Sequence, residues 1–366
     1  MVEAGRPVWS LGLMSGTSLD GVDAALVRTD GETVSEFGRS VFVPYTAEER
    51  SVLSGAMGRW PGDGRGELEA AEEVVLRAHR NAVRRFADPA VVGFHGQTLA
   101  HDPAGGRTHQ LGDGERLARE TGNRVVWDFR SADMAAGGQG APLAPFFHFA
   151  CARHIGAAAP LAFLNLGGVG NLTIVDPRLT GPEEEGALLA FDTGPANALL
   201  NDFVEKRTGQ PFDAEGALAR SGNVRWQVLD DLAGCGYFSK SPPKSLDRNE
   251  FREAAEGVEA LSDEDGAATL TAFSALCVHR ALSWLPSVPA RFLVSGGGRL
   301  NPAMMAMISE ITGIDAVPVE TAGLNGDMLE AQAFAYLAVR VLRGLPTSAP
   351  STTGCTTPVC GGRVSG

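Results

Sequence analysis

Residues 8–27 read VWSLGLMSGTSLDGVDAALV. An apolar run meets a turn of small residues, hydroxyls and a carboxylate, and a second apolar run follows at once. Two strands this close form a hairpin. Its turn, MSGTSLDG, holds more hydroxyls than a plain turn needs. The pattern returns in AFLNLGGVGNLTIVD, 162–176, where two apolar strands again flank a tight turn of small residues. A third element, LVSGGGRLNP, ends a strand in three glycines before a helix. Glycines let backbone N–H groups approach an anion closely, and hydroxyls add donors. Two such hairpins, one per domain, predict a grip on a phosphate chain from both sides. The glycine stretch makes room for a flat base.

Around these elements strand-like and helix-like runs alternate, which predicts an α/β chain. Thr46 and Glu49 form a capping box that opens a helix near residue 47. Helical patterns cover 66–87, 115–121, 195–207, 264–285 and 327–343. Strands are expected at 91–95, 124–129, 161–166 and 291–298. Asn301-Pro302 is a helix start, a capping side chain followed by Pro at the first helical position. The tail from Leu345 reads as irregular or as a late strand.

The chain has 366 residues, a net charge of −13 and 44% hydrophobic residues. That is enough apolar material for two packed domains. The acidic balance argues against nucleic acid or an anionic membrane as partner. No run is long and apolar enough to span a bilayer. The N-terminus lacks a basic region followed by a long apolar run, so no secretory signal is expected. Five scattered cysteines without a CxxC make a disulfide framework or structural zinc site improbable, and cytoplasm is the default. The three lysines, Lys206, Lys240 and Lys244, fit no GxxxxGK[ST] loop, and GxGxxG, HExxH and GxSxG do not occur.

The chemistry concentrates in LLAFDTGPANALLNDFV, 188–204. A strand delivers Asp192 to its C-terminal end, Thr193-Gly194 turns, and Pro195 opens a helix. Active-site groups commonly sit at strand ends in α/β folds, and an aspartate there acts as general base on water or a hydroxyl; the competing reading is a helix-capping Asp. Asp20 follows hydroxyls in the first phosphate loop, which suits it to Mg²⁺, directly or through water; the competing reading is a turn-forming Asp. No direct side-chain ligation of a metal is otherwise expected: His95, His101 and His109 sit in settings that fit scattered structural or ligand-contacting roles. Glu330 shares a helical stripe with Phe334, Leu337 and Val341. A carboxylate heading an apolar stripe either lines a site or is helped by the helix N-terminus.

The motifs LGLMSGTSLDGVDAALV, FHGQT, HQLGDGERLARETG, DFRSADMAAGGQGAPLAPFFH, LNLGGVGNLT, FDTGPANALLNDF and SGGGRLNP follow one another over nearly the whole chain. In this the chain resembles the anhydro-N-acetylmuramic acid kinases of the sugar-kinase, Hsp70 and actin superfamily. The resemblance implies an actin-like, ribonuclease H-like α/β fold of two domains with mixed sheets. Residues 1–134 with 344–366 would form the N-terminal domain and 135–343 the C-terminal one. It implies ATP and Mg²⁺ as cofactors and a sugar as partner. The family opens the 1,6-anhydro ring of anhydro-N-acetylmuramic acid with water and phosphorylates O6, in cell-wall recycling.

Carried onto this chain, Gly16, Thr17, Ser18, Leu19, Asp20, Gly21, Val22 and Asp23 would form the first ATP loop. Gly167, Gly168 and Asn171 would form the second, and Gly296, Gly297 and Gly298 the adenosine motif. Asp192 would activate water. Arg130, Asp133, Gln139 and Glu330 would meet the sugar, a structural salt bridge being the alternative for Arg130 and Asp133. The family also suggests a homodimer. One stretch departs from it: where the family commonly shows PPKSTGRE and an aromatic residue, this chain has PPKSLDRNEF, 242–251. Two other functions share the ATP motifs. One is a plain kinase for another sugar or carboxylic acid. The other is an actin-like or chaperone ATPase switch, which usually needs a further module for which this chain has no room.

Overall fold

The computed structural model describes residues 5–246, 251 and 254–366. They group into two compact units. The first runs to Gly156 and takes in Gly181–Glu184 and Met328–Gly366; the second comprises Ala157–Thr180 and Glu185–Asp327.

The first unit is built on β1 (Val8–Ser15), β2 (Gly21–Thr29), β3 (Val34–Pro44), β4 (Val91–Asp102), β5 (Arg107–Leu111) and β6 (Val125–Trp127). Its sheet runs Arg363–Ser365, β6, β4, β1, β2, β3, with β5 beside β4. The first three strands are antiparallel, while β1, β4 and β6 are parallel. The second unit holds β7 (Leu161–Leu166), β8 (Val169–Val175), β9 (Leu188–Pro195), β10 (Phe292–Ser295) and β11 (Ala316–Pro318) in the order β11, β10, β7, β8, β9. Again three antiparallel strands are followed by two that run parallel to the first. One topology thus occurs twice: a hairpin and a third strand on one side, parallel strands on the other. This is the duplicated ribonuclease H-like architecture that the resemblance implies.

Local chemistry sets the elements. Thr46 accepts from Glu49 N–H at 3.2 Å while the Glu49 carboxylate accepts from Thr46 N–H at 2.8 Å, the expected capping box at the head of Ala47–Ala56. Asn301 accepts from Met304 N–H at 3.1 Å and starts Pro302–Thr312. The tail carries a short helix, Pro350–Thr353, as well as a late strand.

The helix Leu329–Leu342 lies directly on the first sheet. A Cβ on Gly12 would fall 1.7 Å from Ala331 O, and one on Gly93 2.1 Å from Phe334 O. Only glycine permits that approach. Ser10 Oγ adds a bond to Ala335 O at 2.7 Å. This helix and Pro145–His154 therefore belong to the first unit, although the sequence expectation put 135–343 in the second. The second unit has its own core around the helix Asp263–Ala281, which is buried over most of its length.

Candidate functional site

The second unit carries the better-defined chemistry. Ser295 on β10 pairs with Asn165 on β7, Asn165 with Asn171 on β8, and Asn171 with Asp192 on β9. Paired residues point to the same face, so four polar side chains form one row across an otherwise apolar sheet. The row lies at the end of the sheet where the Gly167–Gly168 and Gly296–Gly298 turns emerge.

Asp192 is gripped from three sides. Asn171 Nδ2 donates to Oδ1 at 2.8 Å and Leu246 N–H donates to Oδ2 at 2.8 Å. Tyr237 OH donates to the Asp192 carbonyl at 2.5 Å, and Asp192 N–H donates to Lys244 O at 3.0 Å. Burial raises its carboxyl above the ordinary aspartate range, opposed by the bonds from Asn171 and Leu246. The position differs from the sequence expectation. Asp192 does not end its strand: Gly194 pairs with Gly170 and Pro195 with Val169, beyond a shift in register between Gly170 and Asn171. The helix begins at Asn197, so Asp192 is not its cap.

The Gly167–Gly168 turn is locked by that helix. Gly168 O accepts from Ala196 and Ala198 N–H at 3.0 and 3.1 Å, and Gly167 O from Asn197 N–H at 2.9 Å. Asn197 Nδ2 adds bonds to Leu166 O and Gly167 O at 2.7 and 2.9 Å. Of the three glycines after β10, two serve packing. Gly296 has φ +73°, and a Cβ there would lie 2.4 Å from Asn165 Oδ1; one on Gly298 would lie 2.6 Å from Leu166 Cβ. Around Gly297 a Cβ would meet nothing within 4 Å, so this glycine faces open space.

In the first unit the turn between β1 and β2 presents Thr17, Ser18 and Asp20 to solvent and tucks Leu19 inward at φ 55°. Ser18 Oγ donates to Asp20 Oδ1 at 2.9 Å. Gly21, Val22 and Asp23 already belong to β2, with Val22 fully buried. Braces hold the turn from below: Ser15 Oγ to Gln97 Oε1 at 2.5 Å, Gln97 Nε2 to Gly16 O at 3.1 Å, and Tyr45 N–H to Asp20 O at 2.9 Å. Tyr45 OH lies 3.0 Å from Ser15 Oγ, and burial pushes its phenol up to about 12.

Arg130 is held in this unit by its side chain. Nε and Nη2 both donate to His95 Nε2, at 3.1 and 2.9 Å, and Nη1 donates to Gly140 O at 2.6 Å. His95 Nδ1 lies 2.9 Å from Gly96 O. The ring is therefore neutral, with its proton on Nδ1 and its Nε2 lone pair toward the guanidinium. Burial drives its pKa well down, and the Arg130 charge adds to this. Burial lowers Arg130 to about 10, while Glu330 and Asp133 oppose the shift. Desolvation raises the carboxyl of Glu330, and Arg130 acts against that rise.

Asp133 corrects the expectation that it meets the sugar. It is 1% exposed, and its oxygens accept from Gly140 N–H at 2.7 Å, Ser348 Oγ at 2.5 Å and Thr353 Oγ1 at 2.7 Å. It ties the DFRSADMAAGGQG segment to the C-terminal tail and is closed to any ligand. Gln139 stands beside it, half-buried, its N–H on Thr353 O at 2.8 Å. The three histidines have separate settings: His101 on Thr108 Oγ1 at 2.9 Å, His109 on Arg59 O at 2.8 Å and His95 on Arg130. Among the described residues no three His, Cys, Asp or Glu side chains gather as for a metal ion, and no helix is long and apolar enough to cross a membrane. In the divergent PPKSLDRNEF loop, 247–250 lie outside the described residues, Arg248 with them.

Sequence reasoning missed Asn165, Tyr237 and the Leu246 N–H. The only sign of Asn165 was a lone amide inside an apolar strand. The backbone donor leaves no sign in a sequence at all.

The family model described as anhydro-N-acetylmuramic acid kinase matches residues 8–365. The anhydro-N-acetylmuramic acid kinase of Cereibacter sphaeroides is 59% identical over 361 residues, 99% of this chain and 97% of that one. That of Roseobacter denitrificans is 55% identical over 359 residues, 98% and 94% of the two chains. Among solved structures, the activator of 2-hydroxyisocaproyl-CoA dehydratase from Clostridium difficile with bound ADPNP aligns over 92% of this chain and 96% of its own. The identity is 12% and the TM-score 0.45.

Proposed function

Because the chain belongs to the anhydro-N-acetylmuramic acid kinase family, we propose that Asp192 is the general base of an ATP-dependent kinase. The enzyme opens the 1,6-anhydro ring of anhydro-N-acetylmuramic acid and phosphorylates O6, giving the 6-phosphate. The observation that carries the assignment is the Asp192 carboxylate itself: 2.8 Å bonds to Asn171 and Leu246 aim it, and burial raises its basicity. A base tuned upward is better matched to abstracting a proton near neutral pH. Asp192 takes a proton from water as the water attacks C1. The C1–O6 bond breaks, and O6 accepts the γ-phosphoryl group. Positioning and charge neutralisation supply most of the rate in such transfers.

The donor set fits ATP. The Thr17 and Ser18 hydroxyls are exposed in the first turn, and the Gly167–Gly168 turn is fixed by its own hydrogen bonds. Gly297 leaves open space for the adenosine. The exposed Asp20 carboxylate is a hard oxygen ligand of the kind Mg²⁺ takes, directly or through water. Bound Mg²⁺ would neutralise charge on the phosphates. Arg130 and Glu330 are our choices for the sugar, with Gln139 beside them. The family resemblance also supports a cytoplasmic homodimer.

Gly297→Val tests the nucleotide assignment without threatening the fold, because the added Cβ meets nothing within 4 Å. Calorimetric titration with ATP is expected to show affinity about tenfold weaker or worse, with the melting temperature unchanged. Unaltered affinity would remove the glycine stretch from the nucleotide site. The function as a whole is tested by ATP turnover with and without anhydro-N-acetylmuramic acid. Turnover should depend on the sugar; sugar-independent hydrolysis would favour an ATPase switch instead.

A further inference from the structure

The strap from Pro242 to Leu246 supplies one of the two bonds that aim Asp192, and what holds the strap itself has no role in the reading above. Its Lys244 O accepts Asp192 N–H at 3.0 Å, and two residues on Leu246 N–H donates to Asp192 Oδ2 at 2.8 Å. Lys244 itself turns away from solvent, 8% exposed. Its Nζ lies 4.6 Å from the Tyr237 ring centre, 5.5 Å from that of Trp284 and 5.9 Å from that of Phe191. It also donates to Tyr237 O at 3.4 Å. Tyr237 is the residue whose hydroxyl donates to Asp192 O. A cation over aromatic faces in a dry setting is held by more than an exposed one. Lys244 therefore anchors the strap to the same tyrosine that anchors the base.

We propose that Lys244 is a positioning residue for the reaction: it pins the 242–246 strap so that Leu246 N–H is held on Asp192 Oδ2. This role differs from phosphate binding, which a buried lysine in a kinase would first suggest. It acts through the backbone. The bond it secures stabilises the ionised carboxylate and fixes its direction. The groups that face Asp192 are Asn171 on β8, the Leu246 N–H and Lys244 carbonyl of the strap, and the Tyr237 hydroxyl.

This inference rests on Asp192 being the base. Lys244→Met is expected to lower kcat about tenfold or more, leave the Kd for ATP unchanged and move the acid limb of the kcat/KM profile up by about one pH unit. Lys244→Arg should restore most of the rate. A second pair isolates the N–H: Leu246→Pro removes it and should reproduce the Lys244→Met profile, while Leu246→Ala keeps it and should retain the limb. Should Lys244→Met not fold, the Leu246 pair decides alone. ATP affinity lost with kcat retained in Lys244→Met, or Leu246→Pro behaving like Leu246→Ala, would overturn the proposal. An active Asp192→Asn enzyme would instead overturn the assignment of the base.

Discussion

Asp192→Asn is expected to bind ATP with unchanged affinity and to lose turnover by about 10²–10⁴-fold or more, since it removes both the proton acceptor and the group that directs the water. The change is nearly isosteric. One oxygen remains to accept from Asn171 Nδ2 or from Leu246 N–H, and the new amide faces the other donor. Some loss of stability follows, but the fold persists, because Tyr237 and Lys244 hold the Asp192 backbone rather than its side chain. The same geometry fixes the pH dependence of the unaltered enzyme. A base works only when ionised, and burial raises the carboxyl of Asp192. The acid limb of kcat/KM should therefore fall above the ordinary aspartate range, activity being lost as pH drops through it. Steady-state rates across pH, with calorimetry for ATP, check both points. A mutant of near-normal turnover removes Asp192 from the mechanism.

The largest effect on stability is expected at Arg340, far along the chain from the catalytic motifs. It is 1% exposed on the helix Leu329–Leu342. Its guanidinium donates to Gly31 O at 2.9 Å, to Tyr336 OH and the Glu183 carboxylate at 3.2 Å each, and to Pro346 O. It stacks on Phe146 at 5.1 Å. One side chain thus gathers the β2–β3 turn, the Gly181–Glu184 stretch, the Pro145–His154 helix and the start of the tail. Arg340→Ala removes the cation, strands buried carbonyls and leaves a cavity. The cost is about 3 kcal/mol or more, since each buried polar group left without its partner costs about 1–3 kcal/mol and the cavity adds to it. Denaturant unfolding should show it as a lower midpoint. An unchanged midpoint would mean that the cluster does not hold the unit together.

Much of this fold was legible because local signals agreed with it. The two hairpins declare themselves by apolar runs around small turns. Thr46 and Asn301 each cap the helix that the sequence assigns to them. What stayed hidden depends on long-range contact. Pro145–His154 is buried along nearly its whole length, so no polar face marks it as a helix. The stripe on Leu329–Leu342 says that the helix is buried, not on which sheet; Gly12 and Gly93 decide that, more than 200 residues away in sequence. The site shows the same division. Asp192 and the glycine turns were expected from residue type and neighbours, Arg130 only from the family resemblance. The enclosure of Asp133 was not readable, because Ser348 and Thr353 of the distant tail take up its carboxylate. Nor was the strand that continues past Asp192, since Thr-Gly-Pro reads as a turn until β8 is there to pair with it.

The coupled mechanism makes one claim that isotopes address directly. O6 leaves C1 and accepts phosphorus, so it stays on the sugar throughout; solvent oxygen enters only at carbon. A reaction run in ¹⁸O-labelled water and stopped early, before the free anomeric hydroxyl exchanges, should give a sugar phosphate labelled at C1 and a phosphoryl group with no label. Mass spectrometry of the product and its fragments reads both positions. Label in phosphate with none at C1 would contradict attack of water on the anomeric carbon, and with it the role assigned to Asp192.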